Sequence, residues 1–301
     1  MAKIIVTGGA GFIGSHLTDA LIEQGHQVLV IDNLSTGKRE YLNPQAKFFE
    51  LDLLDFEKIK PIFQGADFVF HEAALPRVPF SVQNPKKTHE INVDGTLNVL
   101  IASRDAQVKK VVYASSSSVY GNPASLPCKE TLPASPVSPY ALQKHIGELY
   151  CKVFYEIYGL PTVSLRYFNV FGPRQPEEGA YTPVIGLFIA QKAKGLPLTI
   201  TEDGEQTRDW TYVSDVVRAN ILAMESARTG RGEVINIGRG ENHTVNKVAE
   251  LIGGKTVYIP PRPGDVRHTL ADISLAQELL GWRPEVSLEQ GIKTLLENAP
   301  K

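Results

Sequence analysis

Short apolar runs recur along the first half of the chain, and longer amphipathic segments separate them. Each run is only a few residues long and rich in Val, Ile, Leu and Phe, which predicts buried strands. The runs are residues 3–8, 27–32, 47–51, 68–71, 110–114 and 162–165. Because buried strands that alternate with helices form parallel sheets, the pattern predicts an α/β fold with helices on both faces of the sheet.

Three of the separating segments have the periodicity of helices. Residues 12–24 place Ile13, Leu17 and Leu21 on one face, and residues 88–104 form a second helical stretch. A third helix starts near residue 138 and runs to 158, where Gly159 ends it. Its apolar residues at helical spacing are Ile146, Leu149, Val153 and Ile157.

The pattern changes after Asn169. Short helices, short strands and loops rich in Gly and Pro replace the regular alternation. We therefore expect a sheet domain over residues 1–168 and a smaller mixed α/β lobe over 169–301. Segments within 210–238 are candidates to return to the main sheet.

Composition and charge exclude several classes of function. The 301 residues carry 31 Lys and Arg against 33 Asp and Glu, so the balance gives no electrostatic footprint for nucleic acid. No apolar run approaches the length of a membrane span. The two cysteines exclude a disulfide framework, which fits a reducing cytoplasm. No pair of histidines has the helical spacing of a metal site.

A glycine-rich turn follows the first predicted strand and precedes the first helix. Gly8, Gly9, Gly11 and Gly14 fit the pattern by which a backbone turns tightly and receives a pyrophosphate at a helix N-terminus. Asp32 ends the second strand, where a carboxylate accepts hydrogen bonds from an adenosine ribose. These features predict a doubly wound Rossmann fold that binds a dinucleotide.

The same region favours NAD over NADP, because the Asp32 carboxylate would repel a 2′-phosphate. Lys38 and Arg39 are close enough to serve such a phosphate, although a solvated loop face explains them better. Asp52 follows the third strand, and it is either an acceptor for the adenine amino group or an ordinary exposed loop acid.

Tyr140 and Lys144 lie four residues apart, which puts a phenol and an ammonium group on one face of the third helix. A neighbouring cation favours the phenolate, and lowering the pKa of a phenol from 10 to about 7 takes roughly 4 kcal/mol. The resulting base would take a proton from a substrate hydroxyl. The serine run at 115–118 offers a hydroxyl to hold the same substrate oxygen.

Taken together, these motifs make the sequence resemble the extended short-chain dehydrogenases/reductases, the NAD-dependent epimerase/dehydratase family. The resemblance covers nearly the whole chain and is closest to the UDP-glucose and UDP-N-acetylglucosamine 4-epimerases. It rests on residues 7–14, Tyr140 with Lys144, the serines before Val119-Tyr120-Gly121, Arg166-Tyr167-Phe168-Asn169, Arg208-Asp209-Trp210 and Arg262-Pro263-Gly264-Asp265.

The resemblance implies a role for each matching residue. Tyr140 would be the base, Lys144 its partner and Ser116 the residue that holds the sugar O4. The implied NAD contacts are Gly8, Gly11, Phe12, Ile13, Gly14, Asp32, Asn33, Asp52, Leu53, Ala73, Ala74, Asn92, Tyr140 and Lys144. The implied UDP-sugar contacts are Ser116, Asn169, Arg208, Arg262 and Thr269. Arg208 has a simpler alternative as the ion-pair partner of Asp209 or Asp215, and Arg262 as a surface loop charge.

Departures from the family pattern narrow the expected reaction. Ser117 and Ser118 stand where dehydratases have an Asp-Glu pair, so dehydration is disfavoured. Asn169 stands where UDP-glucuronate 4-epimerases usually have Thr, which lowers that alternative. Thr269 is small where enzymes restricted to UDP-glucose and UDP-galactose often have Tyr, so we expect room for a 2-acetamido group. The alternative is that Thr269 only caps a turn.

The expected function is therefore a nucleotide-sugar 4-epimerase with tightly bound NAD and a 4-keto intermediate. The alternatives are a UDP-glucuronate 4-epimerase, another nucleotide-sugar dehydrogenase or reductase, and an NAD-binding protein without catalysis. The resemblance also implies a homodimer, with the helices at 88–104 and 140–158 as candidates for its interface. The apolar faces of these helices could equally belong to the core.

Overall fold

A parallel sheet of seven strands forms the centre of the computed structural model, which describes residues 1–176, 182–260 and 266–298. Its strand order is β3-β2-β1-β4-β5-β6-β11, and every pairing is parallel. The strands are β1 (Lys3–Thr7), β2 (Gln27–Asp32), β3 (Lys47–Glu50), β4 (Phe68–His71), β5 (Lys110–Ser116), β6 (Thr162–Tyr167) and β11 (Arg231–Ile237). The doubly wound parallel sheet expected from the sequence is confirmed.

The remaining strands form three separate pairs. They are β7 (Val170–Phe171) with β10 (Thr211–Tyr212), β8 (Leu198–Thr201) with β13 (Thr256–Ile259), and β9 (Thr207–Arg208) with β12 (His243–Thr244). The helices are α1 (Phe12–Glu23), α2 (Phe56–Ile59), α3 (Val78–Gln83), α4 (Pro85–His89), α5 (Gly95–Asp105), α6 (Pro139–Tyr158), α7 (Val184–Ala193), α8 (Val213–Glu225), α9 (Val245–Ile252), α10 (Ser274–Leu280) and α11 (Leu288–Glu297).

Both faces of the sheet are covered, which explains the unbroken apolar runs. In β1, Ile4 and Val6 join one core cluster while Ile5 joins the other. The first cluster contains the inner faces of α1, α8 and α10, and the second contains those of α5 and α6. Because successive strand residues point to opposite faces, every position in such a strand is buried.

The helical stretch predicted at 88–104 is not one regular helix. A π-helical turn, Glu90–Asp94, separates α4 from α5. Such turns insert an extra residue into the helical ladder and are frequent at functional sites. This turn carries Asn92, one of the residues expected at the cofactor.

The second half of the chain divides between the sheet and a smaller lobe. Helix α8 packs against α1, and β11 pairs with β6 at the edge of the main sheet. The β8–β13 pair packs instead with α7, α9 and α11 around a separate apolar cluster that includes Phe171, Phe188 and Trp210. Trp282, fully buried, packs in the main core rather than in the lobe.

The described ranges contain neither a membrane-spanning helix nor a clustered metal site. None of the helices in these ranges is both long and apolar enough to cross a bilayer. No group of three or more His, Cys, Asp or Glu side chains in the same ranges is arranged to hold a metal ion.

Candidate active site

The strand order reverses between β1 and β4, and the carboxyl ends of these two strands mark the place where a doubly wound sheet forms its ligand crevice. Strands β2 and β3 extend the sheet on one side of β1, and β4, β5 and β6 extend it on the other. Ligands of doubly wound sheets bind at this switch point. The chain therefore places its glycine turn, which follows β1, beside the residues that follow β4.

The glycine turn leaves no room for side chains. A Cβ on Gly8 would lie 2.7 Å from the backbone nitrogen of Ala73, and Gly8 has a φ of +72° that other residues rarely adopt. A Cβ on Gly14 would overlap the carbonyl oxygen of Gly8. Helix α1 then begins at Phe12 after Gly11, which provides no side-chain cap. The first backbone N–H groups of α1 are thus available to an anion.

Asp32 is held at the end of β2 by two backbone donors. Its carboxylate accepts from Ala10 N at 3.1 Å and from Leu34 N at 2.8 Å, and burial raises its pKa. The next residue, Asn33, donates to Asp52 Oδ2 at 2.8 Å. The structure therefore brings Asp32, Asn33 and Asp52 to the same end of β2 and β3.

The two cations beside this site are engaged in surface ion pairs. Lys38 pairs with Glu40, and Arg39 pairs with Glu50. Both cations are exposed, which agrees with a solvated loop face and leaves the Asp32 carboxylate to decide between NAD and NADP.

The other expected cofactor residues differ in what their side chains do. Phe12, Ile13, Ala73 and Ala74 are half-buried around the crevice, and Leu53 is buried. Asn92 donates both protons of its amide within the protein, to Leu75 O at 3.2 Å and to Gln143 Oε1 at 2.8 Å. Asn92 thus ties the loop after β4 to the residue before Lys144.

Tyr140 and Ser116 meet at the end of β5. Burial raises the pKa of Tyr140 to about 12, and a hydrogen bond with Ser116 opposes that shift. Backbone N–H of Tyr140 is bonded to the hydroxyl of Ser81 on α3 at 3.1 Å. The first turn of α6 is therefore fixed from two sides, with the phenol facing the serine run.

The surroundings of Lys144 contradict the expectation that this lysine lowers the pKa of Tyr140. Its Nζ donates to Ala114 O at 2.6 Å and lies 4.9 Å from the centre of the Tyr113 ring. Burial lowers the pKa of Lys144 to about 8, and the lysine is not among the groups that shift Tyr140. The predicted lowering of the phenol pKa by this cation is wrong for the chain by itself, because desolvation of the buried phenol dominates.

Three of the residues expected to contact substrate, Asn169, Arg208 and Thr269, lie in the second half of the chain. Thr269 Oγ1 donates to Asn169 Oδ1 at 3.4 Å and accepts from Asp209 N at 3.2 Å. Arg208 donates to the carbonyl oxygens of Thr207 and Arg267. Thr269 is therefore part of a bonded group with Asn169, and Arg262 lies outside the described residues.

The two carboxylates offered as alternative partners of Arg208 have other roles. Asp209 is fully buried and accepts from the backbone N–H groups of Arg239, Gly240 and Ala271. Asp215 pairs with Arg218 at 3.0 Å. Asp209 thus joins three chain segments beneath the expected substrate site.

A model of the NAD dependent epimerase/dehydratase family matches residues 4–238. The chain belongs to this family. The resemblance drawn from the motifs is confirmed.

Solved members of the epimerase/dehydratase family share the whole fold. The UDP-glucose 4-epimerase of Thermotoga maritima, solved with UDP-glucose, is 44% identical with a TM-score of 0.94, over 98% of this chain and 97% of that one. The UDP-N-acetylglucosamine 4-epimerase of Methanobrevibacter ruminantium, in complex with UDP-N-acetylmuramic acid, is 42% identical with a TM-score of 0.93, over 99% of both chains. The Thermus thermophilus UDP-glucose 4-epimerase, in complex with NAD, is 39% identical with a TM-score of 0.91, over 98% of both chains. These three relatives are UDP-sugar 4-epimerases.

NAD is the cofactor of this epimerase/dehydratase chain, and the crevice fits it. The glycine turn packs so closely on the neighbouring backbone that a Cβ on Gly8 or Gly14 would collide with it, and helix α1 begins directly after this turn, where its first N–H groups would receive the pyrophosphate. Asp32 supplies a fixed carboxylate for the ribose. When bound, NAD supplies the redox chemistry by which members of such families act on a sugar carbon.

Sequence reasoning missed a buried ion pair beside the serine run of residues 115–118. Glu148 receives two hydrogen bonds from Arg166, each 2.8 Å long, and a third from Ser115 at 2.5 Å. Glu148 lies four residues after Lys144, so the helical spacing predicts that both side chains lie on the same face of α6. The pair anchors α6 to β5 and β6 next to Ser116.

Proposed function

We propose that this chain is a UDP-sugar 4-epimerase that interconverts UDP-glucose with UDP-galactose and UDP-N-acetylglucosamine with UDP-N-acetylgalactosamine. The observation that carries the proposal is the meeting of Tyr140, Ser116 and Lys144 at the carboxyl end of β5. These three residues lie at the carboxyl ends of the strands, which is the same end of the sheet as the cofactor crevice. The family relatives act on UDP-sugars, which supports the substrate class.

In this mechanism Tyr140 takes the proton of the sugar 4-hydroxyl, and Ser116 donates a hydrogen bond to the same oxygen. The buried phenol has a pKa of about 12, so it holds its proton at neutral pH. Bringing that pKa to about 7 takes roughly 7 kcal/mol of differential stabilisation. Tyr140 therefore becomes a base only when the filled site brings positive charge close to it, which restricts proton transfer to the complete complex.

The buried lysine is held against β5, apart from the phenol of Tyr140. Lys144 donates to Ala114 O and lies over the Tyr113 ring, so its ammonium group is fixed near the carboxyl end of β5, the strand that ends at Ser116. Asn169, Arg208 and, outside the described ranges, Arg262 hold the diphosphate. Bound NAD would supply the acceptor for the hydride lost from C4 and the donor that returns it. The attachment through the diphosphate would let the 4-keto sugar turn over without leaving and regain the hydride on its other face, so the net reaction would be redox-neutral.

The test compares wild-type protein with the variant Tyr140→Phe. Proton NMR of the sugar anomeric signals follows the reaction, and no NAD is added. We expect wild-type protein to interconvert a 4-epimer pair and Tyr140→Phe to lose at least a thousandfold in rate. Tyr158→Phe, on the exposed end of the same helix, is the matched control and should keep the wild-type rate. Full activity of Tyr140→Phe would contradict the mechanism. Accumulation of NADH would favour a dehydrogenase, and turnover of UDP-glucuronate alone would favour that epimerase.

The size of Thr269 sets the substrate range in this proposal. A small side chain leaves volume for the 2-acetamido group, and Thr269→Tyr should abolish turnover of UDP-N-acetylglucosamine while sparing UDP-glucose. Because the Thr269 hydroxyl also bonds Asn169, Thr269→Val separates volume from hydrogen bonding. Equal loss on both substrates in Thr269→Tyr would contradict the proposal.

We further propose that two copies of the chain associate in the cytoplasm through α5 and α6. The support is an exposed apolar stripe on α6, formed by Leu142, Leu149, Val153 and Ile157. Leu149→Glu combined with Val153→Glu should convert a dimer to single chains in sedimentation velocity. The pair Lys152→Glu with Glu156→Lys, which keeps the surface ion pair of the same helix, is the control. A wild-type protein that sediments as a single chain would contradict the dimer.

A further inference from the structure

The hydroxyl of Ser116 lies at the centre of a short chain of hydrogen bonds. Ser118 donates to Ser116 Oγ twice, through its backbone N–H at 3.2 Å and through its hydroxyl at 2.9 Å. Ser116 is also the N-cap of the 3₁₀ turn Ser117–Tyr120. One residue thus fills both acceptor positions of the catalytic hydroxyl.

The number of protons and lone pairs on Ser116 gives this chain of hydrogen bonds a direction. A serine hydroxyl has two lone pairs and one proton. With both lone pairs of Ser116 occupied, its single proton is the only group left to bond elsewhere. Ser116 acts on Tyr140 by lowering the pKa of the phenol, so its hydroxyl can donate one hydrogen bond, to the phenol or, once substrate is bound, to the sugar oxygen, and it can accept from neither.

We infer that Ser118 is a positioning residue that fixes Ser116 as a hydrogen-bond donor toward the reacting oxygens. This inference rests on the proposed epimerase function and deepens it. Negative charge develops on the Tyr140 oxygen and the sugar O4 as the proton moves between them. Donors that are already oriented toward such charge lower the barrier without reorganising during the reaction.

The side chain of Ser118 is needed for this direction, since its backbone N–H fills only one lone pair. Without the Ser118 hydroxyl, the second lone pair of Ser116 is free and its proton has alternative orientations. Ser117 offers a direct comparison, because its side chain makes no hydrogen bond among the described residues. The two neighbouring serines are half-buried alike and differ in this contact.

The test compares four variants by kcat, KM and retained NAD. Ser118→Ala should lower kcat about tenfold at unchanged KM and NAD content, as expected for the loss of one orienting hydrogen bond. Ser118→Thr, which restores a hydroxyl, should return to within about twofold of wild type. Ser117→Ala should stay within about twofold as well. Ser116→Ala measures the full contribution of the hydroxyl that Ser118 orients.

A double variant decides whether Ser118 acts through Ser116. If it does, Ser116→Ala with Ser118→Ala should be no slower than Ser116→Ala, because the orienting bond has nothing left to orient. Additive losses in the double variant, or a raised KM alone in Ser118→Ala, would overturn the inference. So would equal rates for Ser118→Ala and Ser117→Ala in an active enzyme. Absence of epimerisation by wild-type protein would instead overturn the proposed function.

Discussion

The two faces of α6 depart from the usual distribution of side chains. The face against the sheet buries Cys151 and Phe154 in the core, and it also buries four polar residues: Tyr140, Gln143, Lys144 and Glu148. The outer face carries apolar residues, which reach 69% exposure at Ile157. Buried polar residues and an exposed apolar stripe are the informative exceptions to hydrophobic burial. On this helix the buried polar residues are those proposed for catalysis, and the exposed apolar residues are those proposed for association.

The buried polar face is stable because each of its groups has partners. Gln143 bonds with Asn92 and Thr88, Lys144 with Ala114 O, and Glu148 with Arg166. A buried polar group without a partner costs about 1–3 kcal/mol, and an unpaired charge costs more. Substitutions on this face should therefore change the free energy of unfolding strongly and in a direction that depends on the partner left behind.

The largest effect is expected for Glu148→Ala. It leaves the Arg166 guanidinium buried and unpaired, so the free energy of unfolding should fall by about 3–5 kcal/mol. Urea titration monitored by circular dichroism measures this change. Glu156→Ala removes a glutamate from the exposed part of α6, where its pair with Lys152 is solvated, and should cost less than about 0.5 kcal/mol. Similar losses in the free energy of unfolding of the two variants would contradict the difference proposed between the two faces.

Gly147→Ala should come next. A Cβ at Gly147 would overlap the hydroxyl end of the buried Tyr113 ring, so the close approach of α6 to β5 is broken. We expect a loss of about 2 kcal/mol in the free energy of unfolding, because overpacking outweighs the helix propensity of alanine. In Gly95→Ala, the new Cβ lies 3.4 Å from Leu53 and should be tolerated. A stabilised Gly147→Ala would mean that this face is not closely packed.

Lys144→Met should stabilise the fold while it abolishes activity. The folded-state pKa of Lys144, about 8, lies below the unfolded value of 10.5, so the fold disfavours its charged form. That cost is complete below pH 8 and disappears as the pH rises toward 10.5. At pH 7 we expect a gain of about 2 kcal/mol, since the lost bond to Ala114 O offsets part of roughly 3 kcal/mol.

The pH dependence separates this effect from simple packing. The advantage of Lys144→Met over wild type should shrink between pH 8 and pH 10, as measured by thermal unfolding at both values. Lys152→Met, at an exposed position of the same helix, should show no such trend. An advantage that is constant with pH would mean that the charge of Lys144 carries no cost.

The smallest effect on folding is expected on the outer face. Ile157→Lys should change the free energy of unfolding by less than about 0.5 kcal/mol at a protein concentration low enough for single chains. The same substitution should remove any rise of the melting temperature with protein concentration, which reports association. A large loss at low concentration would place Ile157 in the core.

The sequence predicted those parts of the molecule that are encoded within short stretches. The strand at 27–32 was placed without error, and the glycine turn was located between β1 and α1. Helix α6 was predicted nearly to its ends by Ser138, which caps it, and by Gly159 in the left-handed conformation. These features are local, because capping, turn geometry and strand burial depend on a few neighbouring residues.

The same helix shows where such prediction stops. Periodicity identified Leu149, Val153 and Ile157 as one face of α6, but it left open whether that face met the core or another surface. The structure exposes it and buries the opposite, polar face. Periodicity gives the angle between residues around a helix, whereas burial depends on which partners other segments provide.

The contacts among the residues expected to bind substrate depended on tertiary structure even more. Thr269, Asn169 and Asp209 are up to 100 residues apart and meet only because β6, β9 and the segment after residue 266 converge. The pKa of Tyr140 depended on tertiary structure as well, since desolvation by the surrounding fold outweighs the lysine four residues away. The sequence by itself determined the elements, the family and the reactive residue types. Only the tertiary structure decided which of those residues touch and which charges they hold, because long-range contacts and burial are properties of the assembled chain.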